Sequence, residues 1–336
     1  MNSELSLVSI IIPAYNEEKY IGQCIDSILD NDYPKEKLEI IVVDGMSEDR
    51  TKEIVAEYSI KYKFIQCLEN PKRVAPTALN IGIRYAAGDV IIRMDAHNLY
   101  SSDYISKCVK YLKESDADNV GGICITVPGK NTVIAKAIAF VLSSPFGVGN
   151  SHFRIGTSQP RYVDAVPFGC YRKKTFEVIG LFNEHLVRNQ DLEFNARLRK
   201  NGCKILLVPE IKSYYHARPT LKKLCGQNWK NGIWNIYLTK VFPGSLSIRH
   251  FTPMLFVLGL IGSLILSLFF NQGLILLALI CGSYLSASLL FSIKIGLKEG
   301  IKYIPILPVV FFSLHFSYGL GMLWAILTSW RFPKRQ

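Results

Sequence analysis

The sequence predicts an α/β domain with a mostly parallel β-sheet and helices on both faces, followed by a C-terminal group of transmembrane helices. The chain has 336 residues, enough for two domains of about 150 residues each. Short β-branched runs alternate with amphipathic stretches between residues 8 and 92. These runs are apolar almost throughout, which is typical of parallel strands buried on both faces. Residues 251–336, by contrast, contain only six basic side chains and one Glu.

The predicted elements of the sheet follow one another in regular order. They are a strand at 8–12 stopped by Pro13, a helix at 17–30, a strand at 39–43, a helix with Ile54, Val55 and Tyr58 on one face, a strand at Phe64–Ile65, a helix at 76–87 and a strand at 90–92. Ligands of such sheets bind beyond the carboxyl ends of the strands. We therefore expect the loops at 13–17, 44–49 and 93–98 to converge at one edge.

The middle of the chain is less regular. An antiparallel strand is predicted at 120–127, an apolar helix at 132–142, a helix at 191–200 that ends at Gly202, and a strand at 203–208. Residues 145–162 mix Gly, Ser, Asn, Pro and Arg, a composition that predicts a mobile loop. The α/β domain is expected to cover residues 1–218.

Three apolar stretches predict a membrane domain over residues 250–336. Residues 251–270 and 274–293 are uncharged and have about the 20 residues that a bilayer requires; a third stretch covers 303–330. A buried hairpin of a soluble protein is the alternative for the first two. The positive-inside rule places Lys294, Lys298 and Lys302 on the cytoplasmic side. Three crossings would then put Arg331, Lys334 and Arg335 outside, unless 303–330 is partly re-entrant or the rule is broken there.

Positive charge is concentrated just before the membrane domain. Residues 1–196 contain 22 Lys/Arg and 25 Asp/Glu, whereas residues 197–249 contain 11 Lys/Arg and one Glu, a net charge of +10. Basic and aromatic residues alternate at helical spacing in 220–242, which is typical of a helix in a membrane interface. A helix packed on the catalytic domain, a solvated basic face and nucleic-acid binding are the alternatives. The position favours a membrane-interface segment at 219–249 and no nucleic acid.

Several classes of site are excluded by missing motifs. The first strand is not followed by GxGxxG, and the sequence lacks a complete P-loop, HExxH or GxSxG. The eight cysteines form no CxxC pair, which indicates a reducing compartment without disulfides. The N-terminus lacks the basic region of a signal peptide. A bound nucleotide would therefore be held by acidic loops rather than by a glycine cradle.

Acidic loops suit a nucleoside diphosphate in two ways. Glu17 and Asp44 can accept hydrogen bonds from the base and ribose, whereas Asp95 and His97 can hold a divalent cation that neutralises the diphosphate. Taken singly, each has a structural explanation: Glu17 as a first-turn helix residue, and Asp44 and Ser47 as turn or cap residues.

Five motifs in order resemble those of the family 2 inverting glycosyltransferases, which have the GT-A fold, a Rossmann-like α/β fold. They are Val8–Glu18 (VSIIIPAYNEE), Ile41–Thr51 (IVVDGMSEDRT), the stretch from Asn80 through Ala86–Asp89 to Arg93–His97 (RMDAH), Gly169–Arg172 (GCYR) and Asn189–Asp191 (NQD). The resemblance covers about residues 7–215. Asp-Ala-His at 95–97 and the segment His315–Gly321 are similar to the membrane-anchored, succinoglycan-type exopolysaccharide glucosyltransferases.

The resemblance implies a role for each matching residue. Pro13, Ala14, Tyr15 and Glu17 would line the uridine pocket, with Asp44 on the uracil edge. Ser47 and Ala96 would also belong to the donor site, and Asp95 would bridge the ribose and the cation. Arg73 would either touch the diphosphate or lie in a solvated turn. Asp95 and His97 would hold Mg²⁺ or Mn²⁺, and Asp191 would be the general base. Gly169, Gln190, Trp229 and Lys230 would lie on the acceptor side.

Two residues depart from the family pattern. His97 stands where a second Asp is usual, so either the metal preference changes or Asp95 binds the metal alone. Gln190 replaces the Glu that usually precedes the catalytic Asp, and an amide can orient an acceptor but cannot act as a base. Residues 227–230 (QNWK) match the motif of processive synthases poorly, which indicates transfer of one sugar.

The predicted protein is a multi-pass enzyme of the cytoplasmic membrane whose catalytic domain faces the cytoplasm. It would transfer one sugar from a UDP-sugar, with UDP-glucose as the expected donor, to a lipid-linked (polyprenyl diphosphate) glycan. A nucleotidyltransferase that makes activated sugars is one alternative, and a membrane scaffold with a vestigial domain is the other. The acidic Pro13–Glu18 loop argues against the first of these.

Overall fold

The computed structural model describes residues 5–328, and these form two compact units. The first unit contains the chain up to Ile125 together with Gly156–Tyr215, and the second contains Thr126–Ile155 and the chain from His216 onward. The end of the predicted stretch at 303–330 and the basic residues Arg331, Lys334 and Arg335 lie outside the described residues.

The described residues form one nine-stranded sheet, on which the first unit is built. Its strands are β1 (Val8–Ala14), β2 (Leu38–Asp44), β3 (Ile65–Glu69), β4 (Val90–Arg93), β5 (Asn98–Tyr100), β6 (Asn119–Val127), β7 (Arg161–Tyr162), β8 (Cys170–Arg172) and β9 (Ile205–His216). Their order is β3-β2-β1-β4-β8-β6-β9-β5, with β7 paired to β9. The strands β1 to β4 pair in parallel, whereas β8 is antiparallel to both β4 and β6. The predicted α/β fold is thus confirmed, but the sheet is mixed rather than mostly parallel, because the strands that follow β4 pair antiparallel.

Helices α1 to α3 connect β1 to β4 in order, α4 connects β5 to β6, and α8 and α9 follow β8. Their bounds are α1 Ile21–Leu29, α2 Thr51–Lys61, α3 Ala75–Tyr85, α4 Tyr104–Glu114, α8 Lys173–Ile179 and α9 Gln190–Lys200. The continuous apolar run of β1 is fully buried from Val8 to Ile12. Burial on both faces explains why this strand shows no polar alternation.

Helix α3 packs closely on β1 at Gly82. A Cβ atom at this position would lie 2.5 Å from Ile11 Cγ2, too close for any side chain. At Gly22 in α1, by contrast, the nearest atoms would be 3.7 and 3.8 Å away, which is ordinary contact. Glycine is therefore needed at residue 82 for packing and not at residue 22.

We expect Gly82→Ala to lower the thermal unfolding midpoint and Gly22→Ala to leave it unchanged or raise it. Overpacking costs about 1–3 kcal/mol, whereas Gly→Ala in a helix gains up to about 1 kcal/mol. Differential scanning fluorimetry of the detergent-solubilised protein measures both midpoints. Equal midpoints for the two variants would show that α3 can move away from β1 without cost.

The second unit is helical. It contains α5 (Val133–Leu142), α6 (Pro145–Val148), α7 (His152–Ile155), α10 (Leu221–Val241), α11 (Thr252–Ser267), α12 (Asn271–Glu299) and α13 (Leu307–Leu327). Among the described residues, α12 and α13 are long and apolar enough to cross a membrane. Helix α11 has 16 residues, so at about 1.5 Å per residue it measures about 24 Å. This is less than a hydrocarbon core of about 30 Å, a difference that a bilayer accommodates by local thinning.

The predicted loop at 145–162 differs from the structure, which has the short helices α6 and α7 and strand β7 in this segment. The ring of Phe146 stacks on Phe291 of α12 at 5.2 Å and meets Phe311 of α13 edge-on at 4.9 Å. The carbonyl of Gly147 lies 3.3 Å from His315 Nε2. Contacts with residues more than 100 positions away order this segment, and a local composition rule cannot detect them.

Candidate active site

The loops after β1 and β2 are joined by hydrogen bonds. The Asn16 N–H donates to Ser47 Oγ at 2.9 Å, and the Glu48 N–H donates to Asn16 Oδ1 at 2.9 Å. The Glu17 N–H donates to Thr51 Oγ1 at 2.7 Å. The carboxyl ends of these neighbouring strands therefore form one continuous polar surface, as the strand order predicts.

Strained backbone conformations concentrate beside the candidate residues. Among the described residues, five non-glycine residues have positive φ: Asn16 (55°), Met46 (59°), Arg73 (56°), Phe168 (48°) and Asn189 (59°). Each lies within two positions of a residue that the sequence analysis assigns to the site, or is itself one. A left-handed conformation of this kind costs of order 1–3 kcal/mol and tends to occur at functional sites.

Asp44 closes the turn after β2. Its side chain is buried, and Ser47 donates to both carboxylate oxygens: the N–H to Oδ2 at 3.0 Å and the hydroxyl to Oδ1 at 2.6 Å. Each carboxylate oxygen can accept a second hydrogen bond, so the turn role leaves capacity for a ligand.

Tyr15 and Arg73 form the exposed rim above Asp44. The Tyr15 ring is 42% exposed. The guanidinium of Arg73 lies 5.9 Å from the centroid of this ring and pairs with Glu48 at 2.9 Å. Pro13 and Ala14 complete the end of β1, where Ala14 is buried. An exposed aromatic ring beside a cation suits a planar base followed by phosphates.

Glu17 and His97 meet across the loops that follow β1 and β4. His97 Nδ1 lies 3.2 Å from Glu17 Oε1. The Cys24 thiol is buried beneath this pair and donates to the Asp95 carbonyl at 3.6 Å. Burial, reinforced by the nearby charges of Asp95 and Glu17, raises the pKa of Cys24 far above its usual value. The thiol therefore stays protonated and is not a nucleophile.

Arg93 links two of the acidic candidates, and the sequence analysis missed it as a site residue. Its Nη2 contacts Asp95 Oδ1 at 3.1 Å, and its Nη1 lies 3.8 Å from Asp191 Oδ2. The side chain is only 13% exposed. Burial lowers the pKa of Arg93, but the charges of Asp95 and Asp191 more than offset this and raise it overall. The guanidinium is therefore permanently charged between two carboxylates.

A charged residue at the end of a buried strand is the signal that could have identified Arg93. Buried arginines are almost always paired, and Asp95 follows two residues later. Asp191, however, is almost a hundred residues away in sequence. Arg93 lies within the RMDAH motif, but the family resemblance implies no role for it.

Asp191 lies in the first turn of α9. Its carboxylate is 42% exposed, and its Oδ1 accepts from the Leu192 N–H at 3.0 Å. The preceding Gln190 is buried, so the chain turns Asp191 outward and Gln190 inward. An exposed carboxylate beside a fixed cation has the access that a general base needs.

Gly169 lies next to this cluster. Its carbonyl accepts from the Arg93 N–H at 3.1 Å. A Cβ atom at residue 169 would lie 2.4 Å from both Asn119 Oδ1 and the Tyr171 hydroxyl. Only glycine fits here, which explains its place in the motif by packing.

The structure thus brings most of the predicted residues together in the first unit. The loops of Asp44 and Glu17 are joined, Glu17 contacts His97, and Arg93 connects Asp95 to Asp191. Ala96, between Asp95 and His97, is buried. Trp229 and Lys230, in contrast, lie on α10 in the second unit.

The residues present fit a cation that the substrate helps to coordinate. Within residues 5–328, no group of three or more His, Cys, Asp or Glu side chains could hold a metal alone. Mg²⁺ is usually held by one or two carboxylates together with substrate phosphates and water. Asp95 supplies one carboxylate, and His97 supplies an imidazole whose Nδ1 already faces Glu17. A pairing of this kind orients metal-binding histidines.

Comparison with known proteins identifies the family. The model of Glycosyl transferase family 2 matches residues 9–177. The chain is also 30% identical over 325 residues to a dolichyl N-acetyl-alpha-D-glucosaminyl phosphate 3-beta-D-2,3-diacetamido-2,3-dideoxy-beta-D-glucuronosyltransferase of Methanococcus voltae, covering 94% of this chain and 96% of that protein. The chain belongs to glycosyl transferase family 2. It is therefore a glycosyltransferase, as the sequence predicts, and not a nucleotidyltransferase.

Two further comparisons give a second relative and a protein of similar fold. It is 27% identical to the succinoglycan biosynthesis protein ExoA of Rhizobium meliloti, covering 96% of this chain and 95% of that protein. Its fold is similar to that of a mannosyltransferase of Pyrobaculum calidifontis solved with GDP-Man and Mn²⁺, with a TM-score of 0.60, 17% identity, and coverage of 96% and 88% of the two chains. The predicted GT-A fold is confirmed.

Proposed function

We propose that this glycosyltransferase transfers one sugar from a UDP-sugar, with UDP-glucose as the first donor to test, to a lipid-linked glycan at the cytoplasmic face of a membrane. The cluster of Arg93, Asp95 and Asp191 is the observation on which the proposal rests, because it joins the donor side and the acceptor side of the site. Two relatives are matched over more than 90% of their length, the glucuronosyltransferase of Methanococcus voltae and the succinoglycan biosynthesis protein. Their names support a lipid-linked or polysaccharide acceptor.

The nucleotide would occupy the joined loops after β1 and β2. Tyr15 would stack on the uracil, Asp44 would accept from the base N–H, and Arg73 would face the diphosphate. Pro13, Ala14 and Ser47 would shape the floor, and Asp95 and Ala96 would meet the ribose. The hydrogen bonds that join the two loops hold these groups in place before the donor binds, which lowers the entropy cost of binding.

Asp95 and His97 would hold Mg²⁺ or Mn²⁺ together with the donor diphosphate. When bound, the cation supplies Lewis-acid stabilisation of the charge on the departing diphosphate. Glu17 would then orient His97 through the Nδ1 contact of 3.2 Å in addition to lining the pocket.

Asp191 would act as the general base in a single displacement. The acceptor hydroxyl oxygen bonds to the anomeric carbon while the bond from that carbon to the diphosphate breaks, and the hydroxyl proton passes to Asp191. UDP leaves with the electron pair, and the configuration at the anomeric carbon inverts. Gln190 and Gly169 would lie near the acceptor, and the acceptor-side role of Trp229 and Lys230 stays a prediction.

Transfer from labelled UDP-sugars to lipid extracts tests the proposal. Purified protein in detergent is incubated with UDP-glucose, UDP-galactose, UDP-N-acetylglucosamine or GDP-mannose, and the organic phase is analysed for labelled glycolipid. We expect one UDP-sugar to label a product that carries a single added sugar. Labelling by GDP-mannose alone would refute the UDP assignment, and failure of the wild type to bind UDP would favour the scaffold alternative.

We expect EDTA to abolish transfer and Mg²⁺ or Mn²⁺ to restore it. Without the cation, the Asp95 carboxylate and the His97 imidazole cannot neutralise the negative charge of the diphosphate. UDP affinity, measured by calorimetry, should fall in EDTA as well. EDTA that has been saturated with Mg²⁺ is the control. Undiminished transfer in free chelator would show that residues 95–97 are not a metal site.

A further inference from the structure

Helices α10 and α13 of the second unit are paired along much of their lengths through small and polar residues. A Cβ at Gly232 of α10 would lie 2.3 Å from the Tyr318 carbonyl, and a Cβ at Gly321 of α13 would lie 2.3 Å from the Trp229 carbonyl. The two backbones therefore touch. Asn235 donates to the Tyr318 hydroxyl within this contact, as is common between helices that pack through small residues.

The two helices run in the same direction. Cys225 contacts the Ser313 carbonyl at 3.7 Å near their beginnings, and Ile236 forms a buried cluster with Met322 and Ala325 towards their ends. Residues further along α10 therefore contact residues further along α13, so the two helices are parallel. The contact covers about three turns of helix, so α13 lies beside α10 rather than crossing it at one point.

Helices α11 and α12 form an antiparallel hairpin that has no charged residue between 251 and 293. A Cβ at Gly273 would lie 2.2 Å from Ser267 N next to the turn, and the ring of Phe256 stacks on Tyr284 at 4.4 Å near the other end. The first turn of α11 therefore lies opposite the region of Ser288. Arg249 before α11 and Lys294 in α12 are then at nearly the same level, which we call the base of the hairpin.

Within the described residues, helix α13 contacts the half of the hairpin that includes the base. In the middle of α13, His315 Nδ1 lies 2.9 Å from the Tyr284 hydroxyl, and the Phe312 ring lies 6.3 Å from that of Phe256. Ile304, just before α13, packs on Gly296 of α12, which lies beyond the base. A Cβ at Gly319 would lie 2.2 Å from the carbonyl of Pro253, and Met322 packs beside Phe251 and Met254. Both ends of α13 are therefore near the base, and α13 does not follow the hairpin towards its turn.

The side chains of α10 exclude it as a membrane span. Lys222, Lys223, Lys230 and Lys240 are exposed along its length, and lysines are rare within membrane-spanning segments because burying their charge in a bilayer is costly. A hairpin returns the chain to the side from which it started. If α10 nevertheless crossed the membrane, α13 would begin on the far side and could not run parallel to it.

We propose that the chain crosses the membrane only as the α11–α12 hairpin, and that the α10–α13 pair lies in the plane of the interface against an anionic leaflet. The inference rests on the membrane association in the proposed function, but it does not depend on the donor or the acceptor. It places Lys294, Lys298 and Lys302 on the same side as α10. All three lysines then agree with the positive-inside rule.

Short epitope tags in the full-length chain test this topology. One tag is inserted between Asn271 and Gln272 at the hairpin turn, a second between Glu299 and Gly300, and a third after Gln336, with an N-terminal tag as the reference. We expect antibody to reach only the first tag in intact spheroplasts and all four after permeabilisation. Retained UDP binding shows that each tagged chain is folded.

Each alternative topology gives a different labelling pattern. Labelling of the tag at 299 but not the tag at 271 would mean that α12 and α13 are the spans, and labelling of the C-terminal tag would mean three crossings; either result overturns the proposal. Labelling of the N-terminal tag would refute the cytoplasmic orientation in the proposed function. If the tags at the N-terminus, at 299 and at the C-terminus were all labelled and the tag at 271 was not, the whole topology would be inverted. The hairpin would still be the part of the chain that crosses the membrane, so this inference would stand.

Discussion

Asp191→Asn is expected to lower kcat by about 10²- to 10⁴-fold, the usual contribution of a general base. The amide has nearly the same shape as the carboxylate but cannot take the acceptor proton. Because Asp191 is exposed and its known contacts are to Arg93 and the Leu192 N–H, its replacement should leave the fold intact. Initial rates of transfer, with UDP affinity measured in parallel by calorimetry, check this expectation.

The matched control for this variant is Asp30→Asn, at the exposed end of α1. We expect wild-type rates from it. Asp191→Asn should also keep the wild-type affinity for UDP, because the proposed base contacts the acceptor and not the nucleotide. A rate within a few-fold of wild type would remove Asp191 as the base, and a parallel loss of UDP binding would assign it to the donor side instead.

Arg93→Gln is expected to lower kcat by on the order of 10²-fold, the typical cost of misplacing catalytic groups. The glutamine leaves Asp95 and Asp191 without the cation that now lies between them at 3.1 and 3.8 Å. The two carboxylates would repel each other and the donor diphosphate. Kinetic measurement of kcat and of the donor KM checks this, and we expect the larger change in kcat.

Arg93→Lys separates positioning from a merely structural role. Lysine keeps the charge but lacks the planar fork that contacts two carboxylates at once, so we expect partial rescue, with a rate between those of Arg93→Gln and the wild type. Arg84→Gln, an exposed arginine on α3, is the control. Equal losses in the glutamine and lysine variants, accompanied by a lower unfolding midpoint, would mean that Arg93 only stabilises the fold.

The joined nucleotide loops could be predicted because the necessary information is local. Val8–Ile12 and Glu39–Val43 are almost entirely apolar, which predicts parallel neighbours, and parallel neighbours place Glu17 and Asp44 at one edge of the sheet. The hydrogen bonds between Asn16, Ser47 and Glu48 could not be predicted in the same way. They depend on the left-handed backbone of Asn16 and Met46, which the sequence shows only as permissive residues in a turn.

The helical unit shows the limit of length and hydropathy. The stretch at 303–330 has the composition of a span, yet α13 buries half of its most apolar window inside the protein. Gly232 and Gly321 allow this because they let two backbones touch, and single glycines in apolar helices carry no partner information. The same limit applies to the segment around Phe146, which is ordered by rings of α12 and α13.

The sequence by itself determined the family, the α/β fold, the acidic edge of the sheet and the presence of apolar C-terminal helices, because these depend on local patterns and ordered motifs. Tertiary structure alone decided that Arg93 lies between Asp95 and Asp191 and that α13 pairs with α10. Both are contacts between residues far apart in the chain. Their formation depends on how the sheet and the helices pack, and no short-range pattern specifies that packing.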